Sequence, residues 1–521
     1  MSKKQEWTGR LGVILAVTGS ALGLGNFLRF PGLAAKYGGG AFMIPYFTAF
    51  LLLGLPLAYI EWSIARYGGM RGFHSAPGIF SVLWQRRAAP YLGVLGLVVP
   101  IGIYMYYVFI QAWCLYYCWG YISGALNLGR DVSAYQGFFE NFTGSGANGS
   151  IFQGLSPALV SLLICYSLNF FFVYRGLGGI EKLSRWGMPF LLLTAIIVLV
   201  RVLTLGTPNQ AYPERNVLNG LGHLWNPPQG RGLFEALADA QLWMEAAGQI
   251  FFSLSVGFGV IINYASYLTR KDDIMLSATT AAAGNEFAEV GLGGLITVPA
   301  AFVFLGAAGV GGTFGLGFVS LPAVFAHMPF GQLFGALWFF LLFIAAITSA
   351  VSMLQPGIAF LEEGLNFDRR KSLGFLLLIT ASGSILVTYY SAKLEALDAM
   401  DFWAGTFCIF LLASCQVIVA GWLFGVENVI REATHGSRMK IPKSLPYVIK
   451  YVCPTFLGII FLLWCVQKFP AQFEKILTND ATQNAVFFLG SILILFLILT
   501  FFAVRTWQKS SIMSHPRAKD P

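Results

Sequence analysis

Apolar stretches of about 20 residues recur along almost the whole chain, separated by short polar connections. A helix of that length crosses the hydrocarbon core of a bilayer, so the pattern predicts a polytopic helical membrane protein. We expect about twelve spans, at residues 10–36, 40–67, 91–121, 159–174, 186–205, 243–268, 274–305, 333–361, 373–390, 402–424, 447–466 and 485–504. The connections 123–156 and 306–329 are rich in glycine and are predicted to be external loops.

Two of the spans are interrupted. Span 1 holds the run GSALGLGNFLRFP at 19–31, and span 6 holds SLSVG at 253–257. Irregular backbone at membrane depth survives only where it lines a cavity or is buried in protein. Corresponding breaks in two halves are typical of inverted-repeat transporters with a site at the bilayer midplane. We therefore predict one transporter domain over residues 1–521, with repeats at 10–205 and 240–424 and two accessory spans at 445–507.

Composition and charge agree with this class. The chain is 56% hydrophobic and only 11% charged, with a net charge of +9. Its basic residues cluster at every second connection, as the positive-inside rule requires of cytoplasmic loops. We therefore expect both termini in the cytoplasm, and we interpret the charge as a topology signal rather than a nucleic-acid surface. The seven cysteines lie in apolar segments without metal-ligand spacing, which indicates packing roles.

The interruption in span 1 suggests a ligand. A broken helix presents free N–H groups on one half and free carbonyls on the other. The N–H end attracts a carboxylate and the carbonyl end attracts cations, so one broken helix can hold both ends of an amino acid. The alternative is that the glycines only pack helices together, but Asn26 and Arg29 in the same span argue against it. No nucleophile–base set or metal motif indicates an enzyme, while a receptor or channel stays open.

Several motifs resemble those of the neurotransmitter:sodium symporter family, in particular its bacterial, leucine-transporter-like members. They are ALGLGNFLRFP at 21–31, GGGAFMIP at 38–45, QIFFSLS at 249–255 and DFWAGT at 401–406. The resemblance extends along nearly the whole chain. It implies an all-α fold of about 12 transmembrane helices, a 5+5 inverted repeat with unwound helices 1 and 6 and two accessory helices. It also implies alternating access in a plasma membrane, here the inner membrane of a bacterium.

The resemblance implies a substrate site in which the carboxylate meets the backbone of Leu24 and Gly25 and the Tyr107 hydroxyl. The whole set is Ser20, Ala21, Gly23, Leu24, Gly25, Ile103, Tyr107, Phe252, Ser253, Ser255, Phe258, Ser349 and Met353. None of these side chains is charged, so a neutral, mostly hydrophobic L-amino acid is expected. Leucine-transporter members have asparagine, valine and isoleucine at positions 20, 103 and 353, and these differences leave the preferred amino acid open.

The resemblance also implies two sodium sites and no other cofactor. The first set is Ala21, Asn26, Ser253 and Asn285 with the substrate carboxylate, and the second is Gly19, Leu22, Ala345, Thr348 and Ser349. Oxygen ligands suit a hard cation. Taken alone, Thr348 and Ser349 would be expected to bond back to their own helix. A proton-coupled transporter of the same fold is the alternative, although a proton needs no such oxygen cage.

Two gates are implied as well. The outer gate would be Arg29 with Asp401, and the inner gate would comprise Trp7, Ser266, Tyr267 and an ion pair of Lys4 with Glu363. The family has arginine and aspartate at the last two positions. Because lysine lacks the planar guanidinium fork, we expect a weaker inner pair.

Glu289 in span 7 occupies a position where chloride-dependent members have a neutral residue. A fixed carboxylate there would balance the sodium charges, so we expect chloride independence, with Tyr46 and Gln249 nearby. Protonation of Glu289 on the empty return step would add proton counter-transport, and Glu286 is the competing carboxyl. The expected partners are the amino-acid substrate and the lipid bilayer, with no nucleic acid, and a homodimer stays open.

Overall fold

A computed structural model describes residue 7 and residues 9–227, 232–310 and 312–509, and the regular structure within these ranges is helical. Ten helices are long and apolar enough to cross a bilayer. They are spans 2–5 and 7–12, at Gly40–Gly69, Ala89–Ser123, Pro157–Tyr174, Leu177–Leu203, Ile274–Leu305, Gly331–Leu365, Arg369–Tyr389, Ala392–Leu423, Leu445–Gln467 and Asp480–Gln508. Most bounds lie within a few residues of the prediction, but span 5 begins at Leu177 rather than near position 186, and span 10 begins at Ala392 rather than near position 402.

The other two spans are broken, as predicted. Span 1 consists of Arg10–Ala21 and a second half that begins at Gly25 and ends at Lys36, and its two halves are bent by 41°. Span 6 consists of Ala240–Leu254 and Val260–Ala265, with residues 255–259 outside either helix. These two spans bring the described total to twelve, and the predicted fold class is confirmed.

The predicted loops contain helices that their glycine-rich composition did not indicate. The connection between spans 3 and 4 holds Val132–Thr143, and the one between spans 7 and 8 holds an apolar helix at Thr313–His327. Helix Val132–Thr143 is amphipathic, because Tyr135, Phe139 and Phe142 recur at helical spacing and are buried. Asp131 caps its first turn and Gly144, in the left-handed conformation, ends it.

Span 3 is the centre of the molecule. In its most apolar 18-residue stretch 94% of the residues are buried. The same fraction is 28% in spans 11 and 12, so those two spans are peripheral. Span 3 packs along span 8, and both contact the broken spans or their neighbours. The core therefore surrounds the two helix breaks, where a site shielded from lipid can form.

Widened π-helical turns occur in spans 1, 7 and 10, at Gly25–Arg29, Phe287–Gly294 and Trp403–Cys408. Such turns occur frequently at functional sites. Spans 1 and 7 touch backbone to backbone here, since a Cβ on Gly293 would lie 2.0 Å from the carbonyl oxygen of Asn26. Only glycine permits this approach, and it places the side chains of span 7 against the break in span 1.

Candidate functional site

The break in span 1 leaves its backbone bonded in an irregular way. The N–H of Leu22 still donates to Thr18, but the N–H of Gly23 donates to the Asn26 side-chain oxygen at 3.0 Å. The N–H of Leu24 donates to the Tyr107 hydroxyl at 3.1 Å. The helical ladder is thus interrupted at two consecutive N–H groups, one of which faces a hydroxyl of span 3.

The break in span 6 is held by a buried carboxyl. Ser255, Gly257 and Gly259 have positive φ angles of 57°, 66° and 92°. The side chain of Glu61, in span 2, accepts a hydrogen bond from the Gly257 N–H at 3.0 Å and another from Gln416 at 2.7 Å. The observed break, 255–259, starts two positions later than the predicted 253–257, because Ser253 and Leu254 still belong to the helix.

A cavity lies between the two breaks. Its lining residues are Ser20, Ala21, Gly23, Gly25, Asn26, Tyr107, Phe252, Ser255, Phe258, Ser349 and Met353. The predicted substrate residues all line it except Leu24, Ile103 and Ser253, which are buried but do not face it. The cavity volume is only about 10 Å³, close to the minimum that holds one water molecule. The protein is therefore closed tightly around this point.

The residues predicted for the first sodium site form one hydrogen-bonded cluster. The Asn26 amide donates to the Asn285 oxygen at 2.8 Å, and the Asn285 amide donates to the Ser253 hydroxyl at 3.2 Å. All three side chains are buried. Each amide oxygen has a second lone pair, so the cluster can offer oxygen atoms to a cation beside the break of span 1.

Glu289 lies directly behind this cluster and is fully buried. Its two carboxylate oxygens accept hydrogen bonds from Gln249 at 2.5 Å, Asn285 at 3.2 Å and Asn26 at 3.4 Å. The sequence analysis expected Gln249 and Tyr46 near Glu289, and both side chains contact it. The Tyr46 hydroxyl also donates to the neighbouring Glu286 at 2.9 Å. A buried negative charge so placed stabilises a cation bound by the asparagines.

The residues of the second predicted sodium site lie on spans 1 and 8, which are in contact. The Ser349 hydroxyl of span 8 donates to the Ser20 carbonyl of span 1 at 2.9 Å. The same hydroxyl oxygen would lie 2.8 Å from a Cβ placed on Gly23. The Thr348 hydroxyl donates back to Ile344 and Ala345 of its own helix. The two hydroxyls therefore differ, since Ser349 bonds to span 1 and Thr348 bonds back to its own helix. Gly19, Leu22 and Ala345 are buried on the same two spans.

Arg29 lies on the side of the cavity that is predicted to face outward. Its guanidinium lies 3.7 Å from Asp401 and 3.6 Å from Glu245, and it donates to Gln249 at 3.1 Å and Thr406 at 2.9 Å. The guanidinium also lies 5.3 Å from the centre of the Phe252 ring, which lines the cavity below. The predicted Arg29–Asp401 pair is present, but the arginine is shared with a second carboxylate.

A larger cavity lies outside Arg29, with a volume of about 290 Å³. Charged residues dominate its lining, which consists of Lys36, Gln241, Glu245, Asp398, Ala399, Phe402, Trp403, Lys468, Gln472, Lys475 and Thr482. Glu245 belongs both to this lining and to the partners of Arg29. This cavity is much larger than the central one.

On the inner side, Trp7 donates from its indole to the Tyr264 carbonyl at 3.1 Å, and its ring lies edge-on at 5.2 Å from the Tyr264 ring. Tyr267 stacks face to face on His74, with ring centres 4.1 Å apart, and the His74 ring nitrogen is 2.9 Å from the Ser266 hydroxyl. The predicted inner-gate residues Ser266 and Tyr267 thus directly follow the second half of span 6, and Trp7 contacts Tyr264 within that half.

Glu363 bonds to the two residues before the short helix Ala76–Leu83, whose N-cap is Ser75. It accepts hydrogen bonds from the backbone N–H groups of His74 and Ser75, at 2.5 and 3.1 Å, and from the Ser75 hydroxyl at 2.8 Å. The predicted partner Lys4 lies outside the described residues, so that ion pair stays a prediction. A carboxylate before a helix N-terminus is favourable because of the free N–H groups there.

Sequence reasoning missed Glu61, Glu245 and His74. The two glutamates carried a usable signal, because an acidic residue inside an apolar span indicates a functional role by default. His74 lies in a short loop with no apolar period, and its contacts are with span 6, about 190 positions along the chain. Only the three-dimensional arrangement reveals it.

The comparisons with known proteins agree with this geometry. A model of the sodium:neurotransmitter symporter family matches residues 4–137 and 153–509. An uncharacterised sodium-dependent transporter of Methanocaldococcus jannaschii is 32% identical over 477 residues, which cover 88% of this chain and 90% of that protein. A sodium-dependent transporter of Bacillus subtilis is 32% identical over 370 residues, or 71% and 75% of the two chains. A crystal structure of MhsT in complex with L-phenylalanine matches with a TM-score of 0.77 and 27% identity, over 88% of this chain and 100% of that one.

Proposed function

The chain belongs to the sodium:neurotransmitter symporter family, and we propose that it carries neutral, mostly hydrophobic L-amino acids together with sodium by alternating access. It is an integral membrane protein and a sodium-dependent transporter. The observation that carries the proposal is the closed cavity between the two helix breaks, which combines backbone polar groups with aromatic side chains.

The cavity suits a zwitterion with an apolar side chain. The Leu24 N–H and the Tyr107 hydroxyl are aligned at 3.1 Å, where a carboxylate would accept from both. Phe252, Phe258 and Met353 supply an apolar wall. Among the described residues, the lining carries no charged side chain that could neutralise a charge on the substrate, and burying an unpaired charge is unfavourable. The L-phenylalanine in the MhsT structure supports the same substrate class.

We propose two sodium ions per cycle. The first would bind at Asn26, Asn285 and Ser253, beside the substrate carboxylate. The second would bind between spans 1 and 8, where Thr348 and Ser349 supply hydroxyl oxygens near the carbonyls of span 1. Because the first ion shares the substrate carboxylate, sodium and substrate would stabilise each other when both are bound.

Glu289 supports transport without chloride. Its carboxylate touches the asparagines of the first sodium site. We expect Glu289→Ser to make sodium-driven uptake depend on chloride, because the fixed negative charge is lost and a bound anion can replace it. Uptake by Glu289→Ser and Glu286→Gln would be measured with and without chloride. Equal chloride-free uptake by wild type and Glu289→Ser would overturn the assignment, and chloride dependence confined to Glu286→Gln would transfer the role to Glu286.

Proton counter-transport is the finer part of the proposal. In this proposal Glu289 takes up a proton on the sodium-free return step, after the ions whose charge it balances have left the asparagines beside it. The alternative of coupling to protons alone lacks a role for the oxygen cluster of Asn26 and Asn285. We also propose that both termini are cytoplasmic, that the two repeats are bounded as predicted, at 10–205 and 240–424, and that 445–507 holds the accessory spans.

The first experiment is uptake of a panel of labelled neutral amino acids into proteoliposomes, driven by an inward sodium gradient in chloride-free buffer. Accumulation of one or more hydrophobic amino acids would support substrate class, sodium coupling and chloride independence together. Accumulation that needs chloride or a proton gradient would overturn the coupling. Accumulation of only charged or very polar amino acids would overturn the substrate class.

A further inference from the structure

The external connection between spans 3 and 4 is anchored to the membrane part of the protein. On helix Val132–Thr143, Phe139 lies 5.3 Å edge-on from the ring of Trp113, and Phe142 lies 4.6 Å from Tyr116. Trp113 and Tyr116 belong to span 3, which is the buried centre of the fold. The residues that follow this helix are therefore held at a fixed place above span 3.

Those residues, 144–149, hydrogen-bond to residues 389–393, at the end of span 9 and the kinked turn that starts span 10, and we call this contact the external clamp. Four bonds form it: Gly149 N–H to the Tyr389 carbonyl at 2.7 Å, Ser391 hydroxyl to the Gly144 carbonyl at 2.8 Å, Lys393 N–H to the Ser145 carbonyl at 2.8 Å and Ala392 N–H to the Asn148 side-chain oxygen at 3.1 Å. Ser391 is buried in the contact.

The turn held by the external clamp has an unfavourable backbone. Lys393 and Leu394 are consecutive and both left-handed, with φ angles of 50° and 59°. Residues with a Cβ rarely adopt this conformation. It persists only where the surroundings determine it, and the external clamp supplies those surroundings.

The helix that begins directly after this turn, Glu395–Phe402, carries the outer-gate carboxylate. Asp401 pairs with Arg29 and accepts a hydrogen bond from the Tyr106 hydroxyl of span 3 at 2.7 Å. Asp401 is thus connected to span 3 in two ways. It accepts a hydrogen bond from Tyr106 directly, and its helix is joined to span 3 through the external clamp.

We propose that the external clamp positions Asp401, so that Asn148 and Ser391 are positioning residues of the outer gate. This rests on the proposed transport function. When the clamp is cut, the left-handed turn relaxes, the start of helix Glu395–Phe402 shifts, and the closed Arg29–Asp401 arrangement is less populated. Neither Asn148 nor Ser391 touches the central cavity.

The test reads the gate directly, without substrate. Ala399→Cys, which lines the outer cavity, would be labelled with a membrane-impermeant cationic thiol reagent in sodium buffer. We expect labelling about fivefold faster when Asn148→Ala and Ser391→Ala are combined, as the loss of two hydrogen bonds implies. Ser145→Ala is the matched control in the same segment, since only its backbone takes part. Adding Lys393→Gly to the cut clamp should restore slow labelling, because glycine adopts the turn freely.

A second variant leaves every clamp bond in place. Lys393→Val keeps the backbone N–H but disfavours the left-handed conformation, so its labelling should also be faster than that of wild type. This variant keeps the proposal testable if the cut clamp impairs folding. The proposal would be overturned if the Asn148→Ala, Ser391→Ala double variant and Ser145→Ala were labelled at equal rates. It would also be overturned if Lys393→Val and Lys393→Gly were labelled at equal rates. A failure of amino-acid uptake alone would bear on the proposed function and not on the clamp.

Discussion

In the predicted outer gate, Arg29 is a nearly buried cation shared by Asp401 and Glu245, and a cavity of about 290 Å³ lies above it. Among the described residues, the inner end is closed differently. There, the Trp7 indole lies edge-on to Tyr264, Tyr267 stacks on His74, and Glu363 accepts hydrogen bonds from the residues just before a helix. The outer end depends on one charged side chain, and the inner end depends on several weaker contacts.

The difference has a physical consequence. Removing one member of a buried charge group leaves its partners unpaired, which costs about 3–5 kcal/mol. Removing one ring contact or one neutral hydrogen bond costs about 0.5–1.5 kcal/mol. The outer closure should therefore fail in a single step, while the inner closure should weaken gradually as contacts are removed.

The largest effect is expected from Arg29→Met, which keeps much of the volume and removes the charge. Asp401 and Glu245 then lose the cation that they share, so uptake should fall by about 100-fold or more. Initial rates in proteoliposomes, normalised to the amount of inserted protein, measure this. Arg29→Lys should be intermediate, because it keeps the charge and loses the fork.

A matched control for Arg29 is Arg201→Met, at the outer end of span 5, where the arginine faces the Phe334 ring. It should leave uptake nearly unchanged. If Arg29→Met retained uptake within about twofold of wild type, the outer closure would not depend on this single charge.

A smaller effect is expected from Glu363→Gln at the inner end. The substitution keeps the shape but replaces charge-assisted hydrogen bonds by neutral ones, a loss of about 1–2 kcal/mol. The inward-open population should rise about 5- to 30-fold. Ile261→Cys, in the inner half of span 6, would report this through its labelling rate from the cytoplasmic side.

The control for this prediction is Glu362→Gln, since Glu362 is next in sequence but pairs with Arg369 at 3.2 Å. Its labelling rate should stay near that of wild type. Identical rates for the two glutamine variants would remove Glu363 from the inner closure.

The smallest effects are expected at His74, and they separate stacking from hydrogen bonding. His74→Phe keeps the face-to-face contact with Tyr267 but loses the bond to Ser266, so it should weaken the closure by about 1 kcal/mol. His74→Ala loses both and should weaken it by about twice as much. The same Ile261→Cys labelling orders the two variants, and an equal rate for both would exclude a role for the stack.

The helix breaks were predictable because glycines, an amide and an arginine stand out inside apolar spans. The spans themselves follow from apolar length alone. The helix at Thr313–His327 was not predictable in this way, because its 15 residues are too few to cross a bilayer and its flanks are glycine-rich. A span count therefore gives the scaffold of this fold and omits the helices that cover it.

The site was predictable in its members but not in its pairings. The sequence resemblance pointed to Arg29, Asp401 and Glu289, and these residues lie in one region of the structure. That Arg29 also faces Glu245, and that Tyr46 bonds Glu286, depends on the rotation of each helix about its axis. Residues separated by more than 200 positions are brought together here, and no local pattern encodes such a pairing.

The central cavity, at about 10 Å³, also bears on the electrical behaviour of the membrane. A continuous file of water molecules cannot pass through a space that holds about one. Ions and protons that need such a file therefore meet a barrier at the central cavity. Each sodium ion that enters down 100 mV releases about 2.3 kcal/mol. A centre sealed this tightly reserves that free energy for cycles that also move substrate, and keeps leak current low while the transporter is idle.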